Sequence, residues 1–531
     1  NRFFTAFNAS FDRFTNKYII GVKYLLKKKV VAFGGLILVT IIGVGLLYFT
    51  PKSFIPTEDD SFVTYSLAMP PGASLARTTE VLRRADSILK KREDIEGMTT
   101  VSGFNALDGG TSAAFAAGYI NVKPHKERSS IKDINDFMDT IRQDLSVINE
   151  ASFKVFPRPT VQGFGDFAGV QLVLQDRLGG DIRDFDVVAD SFINKINALE
   201  EVDNAYTSFK SNFPQYEADI DVVKAKSMGV DIKDMMNTIR MYFARVSAGD
   251  FNRFGRTYRV YMQSDFEHRT DPESLNSIFV RNKDGKMVPV GTLMTLNKVV
   301  GPESISRYNL YNAITVNVNP SSGNSTGDVM KAIEELAGDQ LPGNYGYEWT
   351  GMSYEESKSG SQTVLIFGLS ILFIYFLLAA QYESYILPWA VLLSVPVGLI
   401  GVFLTVLAVG LENNIYVQVG LIMLIGLLAK NAILIVEFAV QQRDKGKSIY
   451  QSAIEGARLR LRPILMTSLA FVAGLVPLMW SVGPSAIGNH SISFSAAGGM
   501  LAGVALGIFI IPVLFVVFKT LDERVKFKMN K

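Results

Sequence analysis

Six stretches of this 531-residue chain are apolar for long enough to cross a lipid bilayer, which takes about 20 residues at 1.5 Å of helical rise each. They run over residues 30–49, 363–380, 386–409, 415–437, 463–482 and 494–518. Core helices of a soluble domain are usually shorter and amphipathic, so the pattern reads as an α-helical membrane bundle of six transmembrane helices. A composition of 48% hydrophobic and 20% charged residues fits a polytopic membrane protein and excludes disorder as a main theme. With 53 Lys and Arg against 51 Asp and Glu, the formal charge of +2 provides no global basic field for a nucleic-acid backbone. No cysteine is present, which removes disulfides, thiolate metal sites and cysteine nucleophiles together. The chain opens on Asn1, so a processed product or a piece of something longer is expected.

Orientation follows from the short connections. Lys23, Lys27, Lys28 and Lys29 precede the first span; Arg443, Lys445, Lys447, Arg458 and Arg460 lie between the fourth and fifth; Lys519, Arg524, Lys526 and Lys528 follow the last. Those ends belong in the cytoplasm. The connections at 412–414 and 483–490 carry no Lys or Arg, as the opposite side should. The long insert between the first two spans is therefore external, which in a bacterium means periplasmic. Ahead of the first span, Phe3, Phe4, Phe7, Phe11 and Phe14 mix with Arg2, Arg13 and Lys17, so residues 1–29 read as an amphipathic helix on the cytoplasmic membrane face, with a plain linker as the alternative.

The insert alternates strand and helix. Residues 62–69 alternate like a strand, Pro70-Pro71-Gly72 makes a turn, and 74–91 has helical spacing with Ser74 as a cap. A strand near 98–104 closes one βαβ unit, and a second runs through 118–123, 131–145 and 152–157. The series recurs about a hundred residues later, with 169–175, 184–199 and 202–209, and its partner unit is displaced to 313–319, 326–337 and 345–350. We therefore expect an α+β external domain of two ferredoxin-like βαββαβ subdomains, 57–160 and 161–209 with 313–355, the second interrupted by an inserted subdomain at 210–312. The five later spans occupy 363–518, and 519–531 is a cytoplasmic tail.

A charge inside a span costs about 2.5–3.5 kcal/mol on insertion scales and marks function by default. Lys430 stands in the middle of "GLIMLIGLLAKNAILIVEFA". Glu437 is on the same helical face but about 10 Å further along the axis, while Glu383 and Glu412 lie in connections, so no acid in the six spans is placed to neutralise it. Either Lys430 is neutral through desolvation, or its partner lies outside this chain. An acid facing a lysine in a dry bundle is discharged by a proton and frees the lysine to move helices, which is the chemistry of a proton-driven transporter. Asn431 adds an amide beside it, and Thr467 in the next span a hydroxyl, with a back-bond to its own helix as the alternative role. Arg460, two turns before Thr467, is either an entry-side residue or an inside anchor. Gly398, Gly401, Pro396, Gly474, Pro477, Gly498, Gly499 and Gly503 suit close helix contacts and hinges.

"GLLAKNAILIVEFA" followed by "GARLRLRPILMTSLAFVAGLVPL", with "LAAQYESYILPWAVLLSVPVGLIG" and "EWTGMSYEE" upstream, resembles the C-terminal half of the resistance-nodulation-division multidrug exporters, hydrophobe/amphiphile efflux branch. The resemblance covers essentially the whole chain. It implies a multi-pass protein of the bacterial inner membrane that needs no cofactor beyond the proton motive force. It also implies partners: an N-terminal half carrying two relay aspartates, a homotrimer, a periplasmic adaptor protein and an outer-membrane channel. By resemblance Lys430, Arg460 and Thr467 match relay positions, and the external subdomains match the porter pair PC1 and PC2 with a docking insertion. "GFNALDGGTS" matches a switch loop, with Gly103, Gly109 and Gly110. Phe104 matches an aromatic of that loop, while Ala106 stands where a second is usual. Tyr119 and Val101 match a deep substrate pocket, and Phe156 an access pocket. The expected activity is proton-driven export of drugs, dyes and detergents. Rival readings are a copper or silver exporter of the same superfamily, disfavoured because His125, His268 and His490 are far apart, and a proton-coupled protein-translocation or lipid-handling accessory. A membrane enzyme finds no residue constellation to support it.

Overall fold

The computed structural model describes residues 2–129, 131–161, 163–165, 167–321 and 323–529, without the side chains of 2–7, 361, 362, 528 and 529. The side chains of Arg2, Phe3, Phe4, Phe7 and Lys528 thus lie outside the described residues. The chain forms two compact units, one made of Asn1–Phe209 with Ile305–Lys531 and the other of Lys210–Ser304.

Helix α1 (Arg2–Lys27) leads directly into the first span, α2 (Lys29–Phe49). One face of α1 buries Tyr18, Ile19, Val22 and Leu26 in the same core as the bundle, and the Tyr18 hydroxyl donates to the Ile508 carbonyl at 2.9 Å. An external α/β region follows, beginning with β1 (Phe62–Ala68), α3 (Leu75–Leu89), β2 (Ile95–Phe104), β3 (Thr111–Val122), α4 (Ile134–Leu145) and β4 (Ser152–Pro157). Its sheet runs β2-β3-β1-β4, antiparallel at every pairing. Ser74 and Asp133 accept backbone N–H groups at the starts of α3 and α4, which satisfies donors that the first turn leaves open. Alternate strand residues such as Val63, Tyr65 and Leu67 pack against Leu82, Phe137 and Ile141 of those helices. The other sheet face carries Thr64, Ser66, Ala117, Tyr119, Lys154 and Phe156 away from them.

The second half repeats the arrangement with β5 (Val170–Asp176), α5 (Ile182–Ile196) and β6 (Val202–Tyr206). The separate unit intervenes with β7 (Phe213–Ile220), α6 (Val222–Ser227), α7 (Ile232–Phe243), β8 (Val246–Arg253), β9 (Arg256–Met262), β10 (Phe279–Arg281), β11 (Met287–Pro289) and β12 (Met294–Gly301). It has its own core around Met235, Ile278, Val290 and Leu293. The second sheet then resumes through β13 (Ser306–Tyr308), β14 (Tyr311–Pro320), α8 (Thr326–Gln340) and β15 (Tyr345–Trp349), in the order β13-β14-β5-β15 with β6 also on β14. Residues 305–312, assigned to the insertion from the sequence, thus include strand residues of this sheet.

The remaining spans are α9 (Gly351–Tyr382), α10 (Pro388–Leu392) with α11 (Val397–Val409), α12 (Ile415–Asp444), α13 (Ile449–Met479) and α14 (Ala486–Met529). Among the described residues, six helices or helix pairs are long and apolar enough to cross a membrane. The third span is broken where a continuous run was expected. Pro396 has no N–H to continue the ladder, so the chain tightens into three-residue turns from Val391 to Leu399. The polar opening turns of α9 precede its apolar run at 363–380. Between α11 and α14, Gly401 and Gly498 meet backbone to backbone: a Cβ on Gly401 would overlap the Gly498 carbonyl, and one on Gly498 would overlap the Thr405 hydroxyl. Small residues at a crossing let helices approach closely where lipid gives no hydrophobic drive to associate.

Candidate functional site

Lys430 sits near the middle of α12 on an exposed stripe that also carries Val419 and Gly426. The opposite side of the helix buries Leu424, Leu428, Ala432 and Ile435. The chain's own helices therefore do not bury Lys430, and among the described residues none of the ion pairs at the inner end of the bundle includes it. One residue further on, about 100° around the helix, Asn431 is buried. Its amide donates to the Ser468 hydroxyl at 3.2 Å and lies 3.7 Å from the Met500 sulfur, joining α12 to α13 and α14. Thr467 is exposed, and its hydroxyl donates to the Ile464 carbonyl at 3.1 Å. Arg460 is half-buried with its guanidinium 4.4 Å from the Phe438 ring centre, so it meets α12 through a cation–π contact. Lys430 and Asn431 thus face different ways. Ser468, Met500 and Phe438 escape sequence reasoning because their partners lie one or two helices away.

The external candidate residues fare differently. Phe104, Tyr119 and Phe156 converge in one apolar cluster with Leu107, Ala106, Ala117, Phe167 and Tyr206. Phe156 stacks edge-on to Phe167 at 5.8 Å, and Phe167 to Tyr206 at 6.2 Å. Val101 is outside the cluster and exposed. Gly103 has φ +83° where β2 shifts register against β3, and Gly109 has φ +70°, both left-handed conformations that favour glycine. Gly110 is without positive φ, and a Cβ there would crowd the Asp108 carboxylate.

The loop between β2 and β3 is held by side chains that the sequence did not single out. Asn105 is buried, accepts from the Ser66 hydroxyl at 3.3 Å and donates to Asp108 at 2.8 Å. Asp108 also accepts from Gly110 N at 2.8 Å and from the Ser208 hydroxyl, beyond β6, at 2.8 Å. An Asx-type turn at Asn105 is the signal that points to this anchoring.

At the outer end of the bundle, buried Glu58 accepts from the backbone N–H groups of Ile487 (3.1 Å) and Gly488 (2.8 Å), at the start of α14. A carboxylate there complements the positive helix end. Glu356, on the opening turns of α9, accepts from the Thr326 hydroxyl at 2.9 Å at the start of α8. Burial pushes the Glu356 carboxyl up to about 7, helped by the nearby charges of Glu412 and Asp328 and opposed by the Thr326 bond. Burial likewise raises Glu412. A carboxyl held above its ordinary value keeps its proton in the folded state while the unfolded chain ionises. Glu356 therefore costs no stability below about pH 4.5, and its penalty grows as pH rises to about 7, reaching at most roughly 3 kcal/mol. Glu356→Gln should thus raise the melting temperature of the purified full-length protein by a few degrees at pH 8 and leave it unchanged near pH 4.5, as read by thermal unfolding at both values.

Residues 1–519 match the family described as AcrB/AcrD/AcrF. The chain is 37% identical over 521 residues to the antibiotic efflux pump membrane transporter ArpB of Pseudomonas putida, covering 98% of this chain and 49% of that one. It has the same identity and coverage against the toluene efflux pump membrane transporter TtgB of Pseudomonas putida. Against the multidrug resistance protein MdtF of Escherichia coli it is 34% identical over 538 residues, covering 99% of this chain and 51% of that one. The chain spans about half the length of these relatives. With six bilayer-length helices and a match over nearly all its residues, this membrane chain belongs to the AcrB/AcrD/AcrF family, of the resistance-nodulation-division group.

Proposed function

We propose that this chain is the C-terminal half of the inner-membrane pump of a tripartite efflux system, exporting hydrophobic and amphiphilic compounds by proton antiport. The observation that carries the reading is an ammonium at mid-membrane depth on an open face of the bundle. A charge at that depth calls for a counter-charge, and the absent half, with its relay aspartates, supplies it. Lys430 is the moving cation; Arg460 and Thr467 on α13 line the proton path from the inner side, and Asn431 fixes the rotation of α12. No cofactor is needed beyond the proton motive force. The names of the relatives, which include antibiotic, toluene and multidrug pumps, support the substrate class.

In this reading the two sheets are ferredoxin-like porter subdomains, PC1 and PC2, an assignment supported by their common 2-3-1-4 strand order. The unit Lys210–Ser304 is the docking subdomain, through which a homotrimer engages the periplasmic adaptor and the outer-membrane channel. Phe104, Tyr119 and Phe156 line the substrate route, Val101 stands at its margin, and the Gly103, Gly109 and Gly110 loop separates its pockets. The test is dye accumulation and growth in a deletion strain complemented with the full-length gene. Sensitivity to dyes, detergents and antibiotics supports the proposal; sensitivity confined to copper or silver, or a secretion defect alone, refutes it. Within that assay Phe104→Ala should alter the substrate profile more than the maximum rate, and an unchanged profile across many compounds would remove Phe104 from the route.

A further inference from the structure

At the inner end of the bundle, the amphipathic pattern of α1 leaves one stripe uncovered. Tyr18, Ile19, Val22 and Leu26 face the core, and at about 100° per residue Arg13, Lys17, Ile20, Tyr24 and Lys27 fall on the opposite side. All five are exposed, Ile20 by 68% and Tyr24 by 54%. Lys23, Lys28 and Lys29 carry the charge up to the start of α2, with the Lys28 ammonium 5.6 Å from the Tyr24 ring centre. Over residues 8–30, six Lys and Arg stand against Asp12 alone.

Helix α13 adds two more cations beside this helix. Arg458 and Arg462, one turn apart and both exposed, each donate to a neutral amide of α1, Arg458 to Asn16 at 3.0 Å and Arg462 to Asn8 at 3.1 Å. The Arg462 guanidinium also lies 5.5 Å from the Phe11 ring centre. Exposed Asp12 stands on the same flank of α1 as those two asparagines and offsets one charge. The other carboxylates that form ion pairs at this end are already taken, Glu455 by Lys447, Glu523 by Arg443, and Asp522 by Lys519 and Lys526. Among the described residues, none of these ion pairs includes Arg13, Lys17, Lys23, Lys27, Arg458 or Arg462.

A helix lying on a bilayer sets its apolar side chains at the acyl boundary and its cations at the headgroup level. Clusters of about four to eight Lys and Arg just ahead of a span, or on an amphipathic helix, attract anionic lipids, and the planar fork of Arg matches phosphate oxygens. We propose that the open stripe of α1, together with Arg458 and Arg462 of α13, binds anionic phospholipid headgroups of the inner leaflet, while Ile20 and Tyr24 reach the upper acyl chains. The inference does not depend on the export reading. Each charge removed should weaken phosphatidylglycerol binding by about fivefold and spare phosphatidylcholine, whose headgroup has no net charge.

The experiment uses the full-length protein, delipidated in neutral detergent and titrated with phosphatidylglycerol or phosphatidylcholine carrying the same fluorescent acyl chain. The wild-type protein should bind phosphatidylglycerol more tightly by about tenfold or more, and the preference should shrink as salt screens the exposed charges. Combining Arg13→Gln, Lys17→Gln, Arg458→Gln and Arg462→Gln should remove most of the preference and leave phosphatidylcholine binding unchanged. Lys331→Gln, on external α8, should alter neither lipid. Equal affinity for both lipids in the wild-type protein, an unchanged preference in the fourfold variant, or equal weakening of both lipids would each overturn the proposal. Coverage of the stripe by acidic residues outside this chain would give the first of these results. If the fourfold variant fails to fold, Arg13→Gln with Lys17→Gln is read alone: a reduced preference supports the proposal and an unchanged one refutes it.

Discussion

If the proposed function holds, Lys430→Ala should reduce proton-driven export to the background of a strain lacking the pump, while the whole protein still folds and assembles. The two halves of this expectation come from different observations. On the proposed relay role, export should fail because the substitution removes the charge that a protonated acid would release, and no other Lys or Arg stands at that depth in α12. Folding survives because Lys430 is exposed in this chain and its Cβ direction is turned from the core of Leu424, Leu428 and Ile435. Asn431→Leu is the contrasting case, since it strips Ser468 of a buried donor and should lower stability by about 1–3 kcal/mol. Dye efflux driven by an imposed pH gradient in everted vesicles, beside native mass measurement, separates the two variants. Wild-type efflux in Lys430→Ala would refute the relay role.

Gly401→Val should be the most damaging single change in the bundle. The Gly498 carbonyl occupies the space that a Cβ would need, and backbone yields only by moving a whole helix. Displacing α14 from α11 also opens the contacts of Val402, Val406 and Ala497 in the shared core. Overpacking alone costs about 1–3 kcal/mol, and the separation of two membrane helices adds to it. The expected result is a protein that is degraded in cells, with a steep fall in thermal midpoint for whatever is recovered. Gly401→Ala should show a milder version of the same loss. A normal yield and midpoint for Gly401→Val would show that this crossing tolerates a wider spacing.

The spans are legible because a run of about 20 consecutive apolar residues suits little besides a bilayer, and Lys430 is conspicuous against that background. The paired strand and helix series is legible for a similar local reason: strand alternation, the Pro70-Pro71-Gly72 turn and the Ser74 cap all lie within a short window. The break at Pro396 is also written locally, but a proline beside Gly398 and Gly401 suits close packing as well as interruption. What stays hidden depends on residues brought together by tertiary structure. Lys154 looks like an ordinary strand lysine until Tyr206, from the following subdomain, is placed over it. Asn431 pairs with Ser468 on another helix, and no periodicity in α12 announces which neighbour its amide will meet. The Asp108 tie to Ser208 links segments a hundred residues apart.

Helix α14 spans 44 residues, which at 1.5 Å per residue makes a rod about 66 Å long. Glu58 grips its outer tip through two backbone donors, and near its inner tip Glu523 is clasped by Arg443 at 2.9 Å. Its two extremities are thus fastened to different stretches of chain, one ahead of β1 and one at the end of α12, and Pro512 interrupts the backbone ladder between them.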